Sequence, residues 1–177
     1  MPEAAPTTAY LSVASNIDPE RNILDALMFL SENVSITDLS TFYRTEALKR
    51  PKQPDYLNGV AAVRCFLAPR ALSFDVLRPI EARLGRVRTD DRYAARTIDL
   101  DILLFGDMVL DEPGLCVPDP DITERVFLAS ALVELAPDLI FPNTGQILLD
   151  CFDREGAKAL TPSTAFTKKL RTRFLNE

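Results

Sequence analysis

Two aspartates, Asp99 and Asp101, lie two residues apart in the run Ile98-Asp99-Leu100-Asp101-Ile102-Leu103-Leu104-Phe105. Ile98, Leu100, Ile102 and Leu104 alternate with Asp99, Asp101, Leu103 and Phe105, the pattern of a half-buried strand. Residues i and i+2 of a strand share a face, roughly 6–7 Å apart. Two carboxylates that close inside an apolar strand repel each other and lose hydration. A divalent cation between them relieves the repulsion, and Mg²⁺ favours carboxylate and phosphate oxygens. Just upstream, Arg86, Arg88, Arg92 and Arg96 fall within eleven residues. Guanidinium forks match phosphate oxygens. Together these residues imply a Mg²⁺–polyphosphate site. Taken singly, each has a plainer reading, since an arginine-rich loop is usually a solvated loop with surface ion pairs. Two aspartates on one strand face tip the balance toward function.

The rest of the chain must position these groups. Its 177 residues, 47% hydrophobic, suit one domain with a sizeable core. We expect that domain over 1–160, with a polar, loosely attached tail over 161–177. The net charge of −6 argues against nucleic-acid or acidic-membrane partners, which need a dominant basic surface. It leaves room for a local basic pocket. There are no histidines, which excludes histidine bases, histidine metal ligands and Ser-His or Cys-His nucleophiles. Cys65, Cys116 and Cys151 are odd in number and show no CxxC pair, so free thiols in a reducing cytoplasm are expected. No apolar run approaches the ~20 residues of a membrane span. Met1 to Thr8 lacks a basic stretch followed by an apolar run, so no signal peptide is expected.

In chain order, Thr8 to Ala14 reads as a buried strand. Asp18-Pro19 is a helix start, an N-cap acceptor followed by proline at the first helical position. Ile23, Leu24, Leu27, Met28 and Leu30 give that helix one apolar face. A strand over 34–43 follows, then a long polar loop over 44–55 and a strand over 56–66. Pro69 opens a second helix that Gly85 ends, with a bend near 75–79 forced by Pro79. The arginine loop and acidic strand come next. A turn at Gly106-Asp107 leads to a short strand over 108–110. A helix over 125–135 is capped by Thr123 and stopped by Pro137, and a short helix covers 146–152. Strand, helix, strand, strand, helix, strand is the split β-α-β-β-α-β order. The expected fold is α+β: a ferredoxin-like sandwich with a mainly antiparallel sheet, helices on one face and C-terminal additions.

Several runs resemble the 6-hydroxymethyl-7,8-dihydropterin pyrophosphokinases. They are Ala9-Tyr10 with Ser15-Asn16; Phe42-Tyr43-Arg44-Thr45; Gln53-Pro54-Asp55-Tyr56-Leu57-Asn58; Gly85-Arg86-Val87-Arg88; Arg96-Thr97-Ile98-Asp99-Leu100-Asp101-Ile102; Val117-Pro118; and Phe141-Pro142. Their order and spacing fit that family from about residue 8 to 150. The resemblance implies Mg²⁺-dependent transfer of pyrophosphate from ATP to the hydroxymethyl group of the pterin, releasing AMP, in folate biosynthesis. It also implies roles. Asp99 and Asp101 would hold two Mg²⁺ ions, and Arg86 and Arg96 would steady the transferring phosphoryl groups. Glu81, Arg88, Ile102 and Arg125 would meet ATP. Thr45 and Asn58 would meet the pterin edge, with Tyr56 and Phe127 walling its ring. Residues 89–95 would form a lid that excludes water. A cytoplasmic monomer without nucleic-acid or membrane partners is expected.

The chain departs from that family's usual pattern around this core. Ala14 stands where glycine is common, Glu46 and Lys49 where proline and glycine are, and Tyr93 where a tryptophan often lies. Gly114 replaces a residue that is often basic. Asp119 stands at a usual histidine near the ATP, where a carboxylate weakens phosphate binding unless it turns away or meets a cation. An active enzyme with altered ATP affinity is expected. The rivals are a related pterin substrate, or a non-catalytic pterin- or nucleotide-binding homologue.

Overall fold

The computed structural model describes residues 5–91 and 93–175. Strand β1 (Thr7–Ser15) buries Ala9, Leu11 and Val13 completely. Helix α1 (Pro19–Ser31) begins with proline at its first turn. Asp18 does not supply the expected cap. It takes a left-handed backbone (φ 41°), and its side chain makes no capping bond. The turn is instead tied by Asn22 Nδ2 donating to the Ile17 carbonyl at 2.6 Å.

The strand expected over 34–43 is two strands, β2 (Ser35–Leu39) and β3 (Tyr43–Thr45). Ser40 causes the break. Its hydroxyl accepts the Val60 N–H, and its own N–H donates to the Val60 carbonyl, both at 2.9 Å. A side chain thus takes over one ladder bond, and the chain steps out of register. Strand β4 (Tyr56–Cys65) pairs with both and with β1, and strand β5 (Asp99–Phe105) pairs with β1. With β8 (Thr161–Pro162) on β3, the main order is β5-β1-β4-β3-β8, and every pairing is antiparallel. This is the expected ferredoxin-like arrangement, extended by one edge strand.

The second helix absorbs Pro79 by widening. It runs as α2 (Pro69–Ala71), a π-helical segment (Leu72–Leu77) and α3 (Arg78–Arg83). Arg78 N–H reaches the Ser73 carbonyl, five residues back. Proline supplies no N–H to the preceding turn, and a π turn re-routes the ladder around that gap. The expected bend is therefore a change of winding just ahead of the proline.

Strand β5 keeps its alternation only through Ile102. Its pairing with β1 slips at Leu103, because Tyr10 pairs with Leu104 while Leu11 pairs with Ile102. The bulge sets two residues against one. Phe105 therefore joins Leu100 and Ile102 in one core, and Leu104 joins Leu103 in the other. This reverses the expected sides of the last two residues. The first core lies under α1 and the π-widened helix. The second lies under α4 (Asp121–Glu124) and α5 (Val126–Leu135), so helices cover both sheet faces rather than one. These two helices replace the single expected helix. Arg125 lies between them with an extended backbone, and Thr123 caps neither.

A hairpin of β6 (Leu110–Glu112) and β7 (Leu115–Val117) stands where one short strand was expected. Further on come α6 (Leu148–Cys151) and α7 (Arg154–Lys158). The loosely attached tail is corrected as well. Residues from Thr161 onward form β8 and then α8 (Thr164–Phe174). In α8, Phe166 and Leu170 are buried in the first core, with Phe174 packed against it. The Phe166 ring meets Phe42 edge-on at 5.8 Å. Arg171 donates twice to the Leu39 carbonyl, at 2.8 and 2.9 Å, which ties the helix to β2.

Candidate active site

A cleft of about 310 Å³ opens at the end of the sheet where β1 and β5 present Ser12, Ala14, Asp99 and Asp101. Asp99 pairs across from Ala14, and Asp101 across from Ser12. Thr45, Tyr56 and Asn58 form one wall. Asp119, Asp121, Arg125 and Phe127 form another, and Tyr93 and Arg96 close the side toward the arginine loop. Eight residues expected in the site thus share the cleft: the Asp99–Asp101 pair, Arg96, Arg125, Thr45, Tyr56, Asn58 and Phe127. Glu81, Arg86, Arg88 and Ile102 do not line it.

Ile102 is 4% exposed, and its side chain belongs to the first core. That side chain thus packs in the core and does not line the cleft. Glu81, Arg86 and Arg88 stand behind the cleft in an ionic knot set by the end of α3. Gly85 takes a positive φ of 79° there, which glycine adopts without a Cβ penalty. Gly85 N–H bonds to the Ala82 carbonyl and Arg86 N–H to the Glu81 carbonyl, both at 3.0 Å. This Schellman ending brings Arg86 back over Glu81. The Arg86 guanidinium bonds both Glu81 and Asp99. Arg96 bonds the other oxygen of Asp99, and Arg88 bonds Glu81 at 2.7 Å. Glu81 also accepts the Leu100 N–H at 2.9 Å, which fixes the start of β5. Glu81 is only 1% exposed and has both oxygens occupied, so it holds the arginines rather than facing a nucleotide. Burial opposes the Arg86 charge, but Asp99 and then Glu81 outweigh it and raise the guanidinium above its ordinary value.

Asp101 is in a different situation. No donor among the described residues pairs with its carboxylate. Its side chain stays open to solvent, yet protein surrounds the cleft it occupies. Loss of hydration in that cleft, followed by the charges of Asp99, Glu81 and Asp119, pushes its pKa up to about 7. Asp119 is also raised, by burial first and then by Asp121 and Asp99, though its Oδ1 accepts the Asp121 N–H at 2.8 Å.

On the opposite wall the hydrogen-bonding pair is neutral, with Glu46 beside it. Asn58, 4% exposed, donates Nδ2 to Thr45 Oγ1 at 2.7 Å. Next to it, a Cβ on Gly59 would come within 2.7 Å of the Phe42 ring, so only glycine lets β4 lie this close to that ring. Burial raises the Tyr56 phenol, with the charges of Arg96, Asp99 and Arg86 within reach, so the two walls meet at this ring. Of the expected lid over 89–95, Tyr93 lines the cleft and Asp91 bonds Arg50 at 3.0 Å. Arg92 lies outside the described residues. Sequence reasoning gave no role to Asn16 or Gln53. Both are polar residues in matched runs, and burial of an asparagine leaves no periodic trace.

An antiparallel α+β fold thus sets a carboxylate–arginine wall across one cleft from a wall built around the Asn58–Thr45 pair and the Tyr56 ring. Comparison with known proteins is consistent with this. The model of the 7,8-dihydro-6-hydroxymethylpterin-pyrophosphokinase (HPPK) family matches residues 10–137. A 2-amino-4-hydroxy-6-hydroxymethyldihydropteridine pyrophosphokinase of Haemophilus influenzae is 39% identical over 140 residues, 77% of this chain and 86% of that protein. Its counterpart from Pseudomonas aeruginosa is 42% identical over 137 residues, 76% of this chain and 83% of the relative. Among solved structures, wild-type Plasmodium falciparum HPPK-DHPS superposes with a TM-score of 0.64 at 13% identity, which speaks for the fold alone. The match covers 88% of this chain and 46% of that one, so the chain spans less than half of that protein. The chain belongs to the 7,8-dihydro-6-hydroxymethylpterin-pyrophosphokinase family.

Proposed function

We propose that this protein transfers the pyrophosphoryl group of ATP to the hydroxymethyl oxygen of 6-hydroxymethyl-7,8-dihydropterin, giving AMP and the pterin diphosphate. The observation that carries this is Asp101, an open carboxylate crowded by other carboxylates, in the same cleft as the Asn58–Thr45 pair.

The donor set fits Mg²⁺. No three described His, Cys, Asp or Glu side chains form a closed metal cage. Mg²⁺ needs no such cage, because it is held by one or two carboxylates with substrate phosphates completing its shell. Asp99 and Asp101 would hold two ions, which when bound would draw charge from the phosphate oxygens and offset the repulsion that raises Asp101. The chain's own groups do the rest. Arg96 and Arg86, now bonded to Asp99, would exchange that carboxylate for phosphate oxygens, with Glu81 keeping Arg86 from swinging away. Arg125, which lines the cleft, would meet the nucleotide. Asn58 and Thr45 would take the hydrogen-bonding edge of the pterin, while Tyr56 and Phe127 confine its ring. The hydroxymethyl oxygen would thereby be held in line with the β-phosphorus, and in this chemistry positioning and charge neutralisation supply most of the rate. No histidine base is required.

The reading extends to a monomeric cytoplasmic enzyme of one domain. Its support is a single sheet running from β5 to β8 and three free thiols suited to a reducing compartment. Among the described residues no helix is long and apolar enough to cross a membrane. The test is AMP release by purified protein supplied with ATP, Mg²⁺ and the hydroxymethyl dihydropterin. Pterin-dependent AMP is expected, and its absence at saturating substrates would overturn the proposal.

A further inference from the structure

Strand β3 is three residues long, yet it carries Thr45, the partner of Asn58 in the cleft. On one side β4 pairs with it over Tyr43–Thr45, and on the other β8 covers Tyr43 and Arg44. The chain enters β3 through residues 40–42, where the ladder with β4 is interrupted. Phe42 stands in that gap and is fully buried, where backbone polar groups need partners. The C-terminal segment supplies both. Phe42 N–H donates to Thr167 Oγ1 at 2.9 Å, and the Phe42 carbonyl accepts the Ser163 N–H at 2.7 Å. Thr167 Oγ1 donates its own proton to the Ser163 carbonyl at 3.0 Å, which leaves a lone pair for Phe42. The preceding residue is held as well. Thr41 bonds Glu134 through its N–H and its hydroxyl, and Arg171 of α8 bonds the same carboxylate at 2.7 Å.

The Phe42 ring carries this constraint to the cleft. Phe166 of α8 meets it edge-on, and Gly59, which lines the cleft, lies so close that a Cβ there would come within 2.7 Å of the ring. Helix α8 thus holds the backbone ahead of Thr45 and the ring beneath Gly59. The family match ends at residue 137, so β8 and α8 lie beyond it. Asp99 and Asp101 lie on β5, with β1 and β4 between that strand and β3.

We propose that Thr167 is a positioning residue for the pterin wall, through which the C-terminal helix fixes Phe42, strand β3 and the Thr45 hydroxyl that meets Asn58. The proposal rests on the nucleotide–pterin reading of the cleft. It makes the appended helix a determinant of pterin affinity, and it leaves the phosphate wall, two strands away, untouched.

The test uses the full chain as wild type, Thr167→Val, Thr167→Ala and Thr167→Ser, with AMP release followed against each substrate. Thr167→Val keeps the shape and removes the hydroxyl. It should raise the pterin KM roughly fivefold, the equivalent of one ordinary hydrogen bond, with the ATP KM and kcat near wild type. Thr167→Ala, which suits a helix, should act in the same direction and carries the test if valine is not accommodated. Thr167→Ser keeps the hydroxyl and should restore the wild-type pterin KM. A pterin KM within about twofold of wild type without the hydroxyl, or an equal rise in the ATP KM, would overturn the proposal. Amide hydrogen exchange gives a readout that needs no ligand. Without the hydroxyl, exchange should quicken over 43–45, beyond the Phe42 amide that Thr167 bonds. Unchanged exchange there would overturn the positioning role by itself. Faster exchange in a protein that turns over no pterin would uphold the positioning and sink the reading of the cleft.

Discussion

Glu81 and Asp101 are carboxylates of one ionic region in opposite states. Glu81 is closed: Arg86, Arg88 and the Leu100 N–H take both its oxygens, and it is removed from solvent. Asp101 faces the cleft with no donor among the described residues and three carboxylates for company. Asp99 sits between them, bonded to Arg86 and Arg96 yet lining the cleft. A carboxylate with satisfied oxygens positions its neighbours, whereas one raised by like charges is built for a ligand that the chain does not supply. On the proposed function, the inner knot is framework and the outer carboxylate is site.

The comparison can be broken most severely at Asp101. Asp101→Asn should lower turnover on the order of 10³-fold, with a thermal midpoint no lower than wild type because a repulsion is removed. Near-normal turnover would place the metal elsewhere. Glu81→Ala should act chiefly on stability. It leaves Arg86 with Asp99 as its remaining carboxylate and the Leu100 N–H unpaired, a loss of roughly 1–3 kcal/mol in urea unfolding. A loss under about 1 kcal/mol would mean that the knot is not framework. On the opposite wall, Asn58→Ala should raise the pterin KM about tenfold, the equivalent of one good hydrogen bond at ~1.4 kcal/mol. The ATP KM should stay near wild type, and an equal rise in both would remove the division between the walls.

The crowding of Asp101 also sets a pH dependence. Asp101 titrates near 7 in the fold, above the ~3.9 of an unfolded aspartate. Between those values the folded chain binds more protons than the unfolded one. The Asp101 contribution is therefore fully present below pH ~4 and is lost as pH rises through about 7. Midpoints of ligand-free wild type and Asp101→Asn should accordingly draw apart in the variant's favour from pH 4 to 8. Parallel curves would mean that the carboxylate is not crowded as described.

The sequence made the chemistry of the site legible earlier than its architecture. Asp99 and Asp101 announced themselves by charge at period two, and the β-α-β-β-α-β order followed from apolar spacing and the Gly85 stop. The bulge at Leu103 has no such signature, because one extra residue changes which face Leu104 and Phe105 take without changing composition. Glu81 looked like a nucleotide contact because sequence order cannot show that the Schellman turn folds Arg86 back onto it. The C-terminal helix was hidden by its four basic residues. Phe166, Leu170 and Phe174, spaced four apart, were the available signal of a single buried stripe. Thr167 was invisible as a brace, since hydrogen bonds among segments distant in sequence leave no local pattern.

Asp99 and Asp101 are proposed to hold the divalent cation only together with nucleotide phosphates. The direct measurement is Mn²⁺ binding by electron paramagnetic resonance, with Mn²⁺ standing in for Mg²⁺ and a non-hydrolysable ATP analogue present or absent. Wild type should sequester Mn²⁺ far more strongly with the analogue than without it, and Asp99→Asn and Asp101→Asn should each lose that gain. Variants that bind Mn²⁺ and nucleotide as wild type does would contradict the account.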